Sequence, residues 1–333
     1  VALRVTFAWP AGFARVPDEP WTRAAVSELA EKYDSVERHG WYANLDPTVR
    51  DLVDGLREGD VLVDYSGGTG ILLGRLLEAA GPFPFGAIDV DASPKFLRLA
   101  LEKLGAEPRV AFRLLEWRKE AKALAPLDEA LGPAMATRGV DAVVSANAMH
   151  LYPDLEPTFR AWRRCLRPSG RALAQSGNVR VPEADGWIID DTVAAVAQEA
   201  RRIVEEDERF ARHRDALRDP ARLAQHDAFR RRVFVPPRAL STYVEAFETS
   251  GFRVEDVRTR RIRARSDEWL EFLQVYDEAV LGWVGGTEKI EGRAASPADR
   301  RDRLDLMALA LDRALRGRGT FDATWTYLRC APQ

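Results

Sequence analysis

Val61-Leu-Val-Asp-Tyr-Ser-Gly-Gly-Thr-Gly70 decides the reading of this chain, because a short apolar run ends in an acid and breaks directly into a glycine-rich turn. Beyond the turn, Ile71, Leu72, Leu73, Leu76 and Leu77 recur at helical spacing, which places the loop at a helix N-terminus with unpaired N–H groups facing outward. Glycines let a ligand approach the backbone there. A dinucleotide phosphate site calls for G-x-G-x-x-G. Here the run is Gly67-Gly-Thr-Gly70, with Gly74 one place too late, and Asp64 would repel a phosphate. The acid favours a cationic ligand, and a nicotinamide dehydrogenase is the least favoured reading.

The order of elements after the loop alternates strand and helix, the pattern of a parallel sheet covered on both faces. Strands are expected at residues 85–90, 110–115, 142–146 and 172–176, with helices at 94–104 and 155–166. Two later strands, 251–257 and 323–330, bring the total to seven. The alternation is interrupted at 182–232 and 265–318. Ile188, Ile189, Val193, Val196, Ala197, Ala200 and Val204 mark the first interruption as helical, and Trp269, Phe272, Leu273, Tyr276 and Val280 do so for the second. Residues 21–56 also read as helical.

Three further stretches complete the pattern. Ile88-Asp-Val-Asp-Ala-Ser-Pro-Lys-Phe-Leu97 ends a strand in acids and starts a helix at Pro94. Phe112-Arg-Leu-Leu-Glu-Trp117 ends a strand in Glu116. Val140-Asp-Ala-Val-Val-Ser-Ala-Asn-Ala-Met-His-Leu151 ends in N-A-x-H-x-L. Together with the first loop these stretches resemble the class I methyltransferases that use S-adenosylmethionine, in particular the small-molecule, methyltransferase type 11-like kind. The first motif of that family is roughly D/E-x-G-x-G-x-G: Asp64, Gly68 and Gly70 match it, and Ser66 stands where the first glycine is usual. The second motif is G-x-D-x-S-P-x-x-L, and Asp91-Ala-Ser-Pro matches it in register.

The resemblance implies an α/β, Rossmann-like, seven-stranded, mostly parallel, doubly wound sheet with helical insertions forming a lid. It implies S-adenosylmethionine as cofactor and S-adenosylhomocysteine as product, held by Asp64, Ser66, Gly67, Gly68, Thr69 and Gly70 of the loop, by Asp91 or Asp89 at the ribose hydroxyls, by Glu116 and Trp117 at the adenine, and by Asn147. Asp89 lies two residues before Asp91 and on the same side of the strand, so the choice between them stays open. The implied organisation is an N-terminal helical cap at 1–56, a cofactor-binding core formed by 57–181, 233–264 and 319–333, and insertions at 182–232 and 265–318 covering the crevice beyond the strand ends.

Methyl transfer from a sulfonium is an in-line displacement of an already activated carbon, so placement dominates and a base is optional. Where the acceptor is a hydroxyl or an acidic carbon, His150 is the candidate base, with His39 second. The competing reading of His150 is a structural residue bonded to a neighbouring turn. Tyr33, Trp41, Tyr42, Trp187, Trp269 and Tyr276 are the candidate acceptor-facing aromatics; each also fits simple core packing.

Composition narrows the partners. With 333 residues, 46% of them hydrophobic, the chain can bury a large core. A net charge of -3 and a pI near 6.0 give no basic field of the kind that holds nucleic acid or an acidic membrane. Lysine is confined to Lys32, Lys95, Lys103, Lys119, Lys122 and Lys289, so arginine supplies nearly all of the 49 basic residues. The fourth motif lacks the D/N-P-P-Y/F and Pro-Cys signatures of base-modifying enzymes and the acidic cluster of magnesium-dependent ones. Cys165 and Cys330 carry no metal-ligand spacing and point to a reducing, cytoplasmic setting. No apolar stretch is long enough to span a membrane, and Pro10 and Gly12 break the segment 5–14 as a secretory signal. The expected partner is a small molecule, with no metal, nucleic acid or membrane; a homodimer is left open. Two other readings remain: a non-catalytic cofactor-binding protein, and an RNA methyltransferase, which would need the arginines at 258–265 and 230–232 to form one basic surface beside the cleft.

Overall fold

The structure is a computed structural model in which residues 6–333 are described; the first five residues of the expected cap, and Val5 of the segment 5–14, lie outside the described residues. Seven strands form one sheet: β1 (Val61–Tyr65), β2 (Gly86–Asp91), β3 (Val110–Leu114), β4 (Val140–Ala146), β5 (Leu166–Ser176), β6 (Phe252–Arg265) and β7 (Thr320–Pro332). Their order is β6-β7-β5-β4-β1-β2-β3, with β7 antiparallel to both of its neighbours and the remaining pairs parallel. Every residue of β1 and β2 is buried, as expected of central parallel strands packed on both faces.

Alternation along the strands separates two cores. Val61, Val63, Tyr65, Ile88 and Val90 face one side with helix α6 (Leu155–Cys165) and helix α9 (Leu240–Thr249). Leu62, Ala87, Val144, Leu173 and Trp325 face the other, where α2 (Asp46–Asp54), α3 (Ile71–Ala80), α4 (Pro94–Leu104) and both insertions pack. Helix α4 starts where Pro94 fixes the first turn and the Ser93 hydroxyl accepts from the Phe96 N–H at 3.4 Å. Helix α5 (Leu127–Arg138), between β3 and β4, was not expected; Gly132 (φ 77°) and Pro133 break its apolar period in the middle.

The insertions are helical. The first holds α7 (Ile189–Glu206) and α8 (Pro220–Val233); the second holds α10 (Ser266–Val275) and α11 (Pro297–Ala314). Before them the chain forms α1 (Glu28–Ser35), and the expected single helical run at 21–56 is instead short turns of 3₁₀ helix around α1 and α2. Three buried imidazoles clip these parts together: His39 to Glu271, His213 to Asp302 and His226 to Glu291, each at 2.8 Å. A buried ion pair, Arg303 to Asp277 at 3.0 Å, holds the turn after residue 281, with Arg303 also donating to the carbonyls of Val284 and Gly286.

Candidate active site

Strand β1 ends at Tyr65, and the chain turns because Ser66 adopts φ 65° and Gly68 and Gly70 adopt 64° and 78°. The N–H groups of Ser66 and Gly67 both donate to the Val90 carbonyl, fastening the loop to β2. Ser66 therefore takes up the left-handed conformation that glycine favours, at a cost of about 1–2 kcal/mol. Its hydroxyl accepts from the Tyr152 O–H at 3.2 Å, within a small network that includes Ser145 and the Tyr65 carbonyl.

Three acids lie under and beside this loop. Asp64 and Asp89 are register partners on adjacent parallel strands and are 1% and 0% exposed. None of their four carboxylate oxygens has a hydrogen-bond partner. Burial raises both: Asp64 to about 8, with Asp91 adding repulsion, and Asp89 well above the usual carboxylate range, with Asp64 and then Asp91 repelling further. Asp91, by contrast, accepts from the N–H groups of Gly68 (3.0 Å) and Ser93 (2.6 Å), which offset its burial and hold it at about 6. Gly67 is required where it stands, since a Cβ there would lie 2.4 Å from an Asp89 carboxylate oxygen and 2.9 Å from the Asp64 carboxyl carbon.

Above the loop is a cleft enclosing about 40 Å³, lined by Tyr33, Tyr42, Asp64, Ser66, Gly67, Gly68, Thr69 and Asn147, with apolar Leu45, Ile71, Leu72 and Ala146. Thr69 is buried, and its hydroxyl is unpartnered. Tyr33 stacks on Phe96 at 5.0 Å, and Tyr42 and Tyr276 face it closely enough for the three phenols to interact electrostatically; burial raises all three. Behind Asn147, one of the lining residues, lies a closed amide network, a wall that sequence reasoning did not find. The Gln175 amide donates to Asn44 (2.8 Å) and Asn147 (3.3 Å), Gln175 accepts from Thr48, the Trp325 indole donates to Asn147 (2.7 Å), and Tyr327 donates to the Asn44 carbonyl. Only Asn147 (φ 58°) carried a signal, through the fourth motif.

The remaining expected site residues lie elsewhere. His150 is buried at the strand ends, with Nδ1 2.9 Å from the Ser176 hydroxyl, and is absent from the cleft lining. Burial, with Arg238 adding to it, lowers its pKa to about 4, so the ring is neutral at ordinary pH. His39 is committed to Glu271. Glu116 and Trp117 are exposed beyond β3. Trp41 and Trp269 pack with each other, Phe272 and Trp325 in the core, and the Trp269 indole donates to Thr192. Trp187 bridges to Ala323 at the end of the first insertion's lead-in. The arginines at 258–265 lie on β6, an edge strand, and are largely engaged: Arg258 with Asp51 and Asp256, Arg263 with Asp322, Arg265 with Asp267. Arg230 is paired with Asp227.

An acid-ended strand, a left-handed glycine turn and a second acid clasping that turn are the parts of a small-ligand crevice at the carboxyl ends of an α/β sheet. Residues 63–172, which hold all of these parts, match the model of a methyltransferase domain family. The match covers about a third of the chain and identifies a methyltransferase domain there. The seven-stranded sheet is the Rossmann-like fold that such a domain calls for. No curated protein matches the chain in sequence. Among solved structures it is similar to the YcgJ protein of Bacillus subtilis (15% identity, 88% of this chain and 99% of that one, TM-score 0.48). It is also similar to a Geobacter sulfurreducens methyltransferase in complex with S-adenosylhomocysteine (16%, 92% and 99%, 0.47). A third is the Haemonchus contortus phosphoethanolamine N-methyltransferase 2 (15%, 91% of this chain but 57% of that one, 0.48). Among the described residues no helix is long and apolar enough to cross a membrane.

Proposed function

We propose that the enzyme methylates an oxygen, nitrogen or carbon of a small, partly apolar acceptor, with the cofactor seated on the glycine loop between Asp91 and Asn147. The single observation that carries this reading is the contrast at the loop: Asp91 is bonded into it through Gly68, while Asp64 lies beneath with both oxygens unpartnered. A bonded Asp91 still has free lone pairs for two ribose hydroxyls. An uncompensated Asp64 suits the cationic methionine end. Glu116 and Trp117, at the exposed rim, are the adenine-side residues, and they come into play only as the bound ligand covers them.

The cofactor when bound supplies a methyl group on a positively charged sulfur. The chain's own task is then to orient the acceptor in line with that methyl and to exclude water. Tyr33, Tyr42 and Tyr276 form the acceptor-facing surface, with aromatic faces toward a sulfonium and hydroxyls toward a polar acceptor group. The cleft's 40 Å³ falls well short of the roughly 300 Å³ or more that such ligands occupy, so the cleft widens to admit them. His150 serves as base for an acceptor entering from the Ser176 side of the strand ends.

Calorimetric titration with S-adenosylmethionine and S-adenosylhomocysteine tests the cofactor site. Micromolar binding, of order -8 kcal/mol, that is lost in Asp91→Ala supports it; unchanged binding in that variant overturns it. A screen of small alcohols, amines and phenols with labelled methyl groups then identifies the acceptor, and label on RNA instead would overturn the small-molecule assignment.

A further inference from the structure

The pair of carboxyls beneath the loop is not explained by holding the cofactor. Asp91 and Asp64 alone suffice for that, and the second motif that the chain resembles has glycine where Asp89 stands. In this protein the extra acid is accommodated at a visible cost. Gly67 has no side chain, so its backbone sits against both carboxyls, and four oxygens are buried without a partner. Two adjacent buried carboxylates with no hydrogen-bond partner cannot both stay charged.

The groups facing the pair do not neutralise it. From β2 comes Asp91, another acid. From α4 comes Lys103, which acts on Asp89 from a distance while its ammonium is held by Asp34 at 2.7 Å and Glu37 at 3.6 Å. From the loop come the Ser66 and Thr69 hydroxyls, and from α1 the Tyr33 phenol, which faces Asp64 and Asp91. Among the described residues no cluster of metal-binding side chains is present to recruit a cation. Protons are therefore the charge balance available to the free protein, consistent with the upward shifts of both acids.

We propose that Asp89, side by side with Asp64, makes this enzyme discriminate its cofactor from its product by charge: the pair gives up a proton to solvent when the sulfonium-bearing ligand binds and takes one back when the sulfur is neutral. The inference rests on the glycine loop being the cofactor seat. S-adenosylmethionine carries one more positive charge than S-adenosylhomocysteine, and it is the only difference the buried pair can sense. With the positive ligand above it, the pair is stabilised as the anion; with the neutral one, the retained proton removes that attraction and the product leaves more readily. Asp91 is already ionised at neutral pH through its N–H partners, so it holds both ligands alike.

The experiment is calorimetric binding of each ligand to the whole protein in phosphate and in Tris at pH 7, which reads protons released from the difference in apparent enthalpy. The expected result is close to one proton released with S-adenosylmethionine and close to none with S-adenosylhomocysteine. The affinity for the first should tighten by up to tenfold per pH unit as pH rises toward about 8, as release of one proton requires. In Asp89→Asn the release should vanish and the ratio of the two affinities should fall about tenfold. Infrared difference spectra of the unmodified protein give an independent readout: the protonated-carboxyl band should weaken on adding the first ligand and stay unchanged with the second. Equal proton release for both ligands, or release unchanged in Asp89→Asn, overturns the inference while leaving the cofactor site intact. Failure of both ligands to bind overturns the site assignment and the inference together.

Discussion

Two polar clusters meet at the same cleft, one reaching it through Asn147 and the other through Asp64 and Thr69, and are built in opposite ways. The wall formed by Asn44, Asn147, Gln175, Thr48 and Trp325 is a closed network in which buried amides find partners on one another. The floor formed by Asp64, Asp89 and Thr69 is equally buried and has none. Burial therefore does not distinguish them; satisfaction does. Buried polar groups that bond one another fix a backbone arrangement, whereas buried groups left open destabilise the free protein and are compensated only by something that arrives. The wall joins the N-terminal cap to the sheet, and the floor addresses the ligand.

The largest effect that would sharpen this contrast is at the wall. Gln175→Leu leaves the Thr48 hydroxyl without its acceptor and takes one donor each from Asn44 and Asn147, at a site of 0% exposure, and should cost about 2–4 kcal/mol of stability, read as a lower urea midpoint. Asp89→Asn should do the reverse. Because the folded acid holds its proton above the unfolded value, the native state binds more protons than the unfolded one at pH 7–8, and stability there falls as pH rises. Removing the charge should raise Tm at pH 8 and change it little near pH 4. If both variants destabilise equally at pH 8, the contrast between wall and floor is broken.

Next in size is His150, which belongs to neither cluster. Its folded pKa of about 4 lies below the unfolded 6.5, so the unfolded chain takes up the proton first. Its contribution is full above pH 6.5 and is lost as pH falls toward 4. At about 1.4 kcal/mol per unit this amounts to roughly 3 kcal/mol. His150→Gln should flatten the acid limb of the stability curve between those pH values. A base role predicts in addition a loss of at least about a hundredfold in kcat with KM for the cofactor unchanged; a purely structural role predicts loss of the acid limb alone.

The sheet was legible in the sequence because its signals are local. The run 61–70 fixes a strand, a turn and a helix within a few residues, and parallel central strands are continuous apolar runs. The helical insertions showed through their apolar period for the same reason. Helix α5 did not, since Gly132 and Pro133 interrupt its period. The residues of the cleft and of the network behind it divide along the same line. Asp64, Ser66, Gly67, Gly68, Thr69 and Asn147 lie in contiguous motifs and meet in the cleft. Asn44, Gln175 and Trp325 come from three distant segments, and no spacing announces that they will converge. Trp41 and Trp269 show the converse: aromatic residues at helical spacing are equally suited to lining a pocket and to packing, and here the neighbouring Phe272 and Trp325 rings enclose them. The pairing of Asp64 with Asp89 was invisible for a third reason, since it depends on strand register, which a parallel crossover sets through the helix between.

Ser66 offers the smallest and most exacting test. It stands at φ 65°, where an L-residue is strained by about 1–2 kcal/mol and glycine is not, while its hydroxyl accepts one bond from Tyr152. Tyr152 has two other acceptors within reach, Ser145 and the Tyr65 carbonyl, so loss of the hydroxyl leaves no donor stranded. Ser66→Gly also frees the unfolded chain, which opposes the gain by about 0.5–1 kcal/mol. The net should be stabilisation of no more than about 1 kcal/mol. Cofactor affinity should change less than tenfold, because the loop shape is already the one glycine would take. A large loss of affinity in Ser66→Gly would show that the hydroxyl itself contacts the ligand, placing Ser66 with the open floor instead of with the satisfied wall.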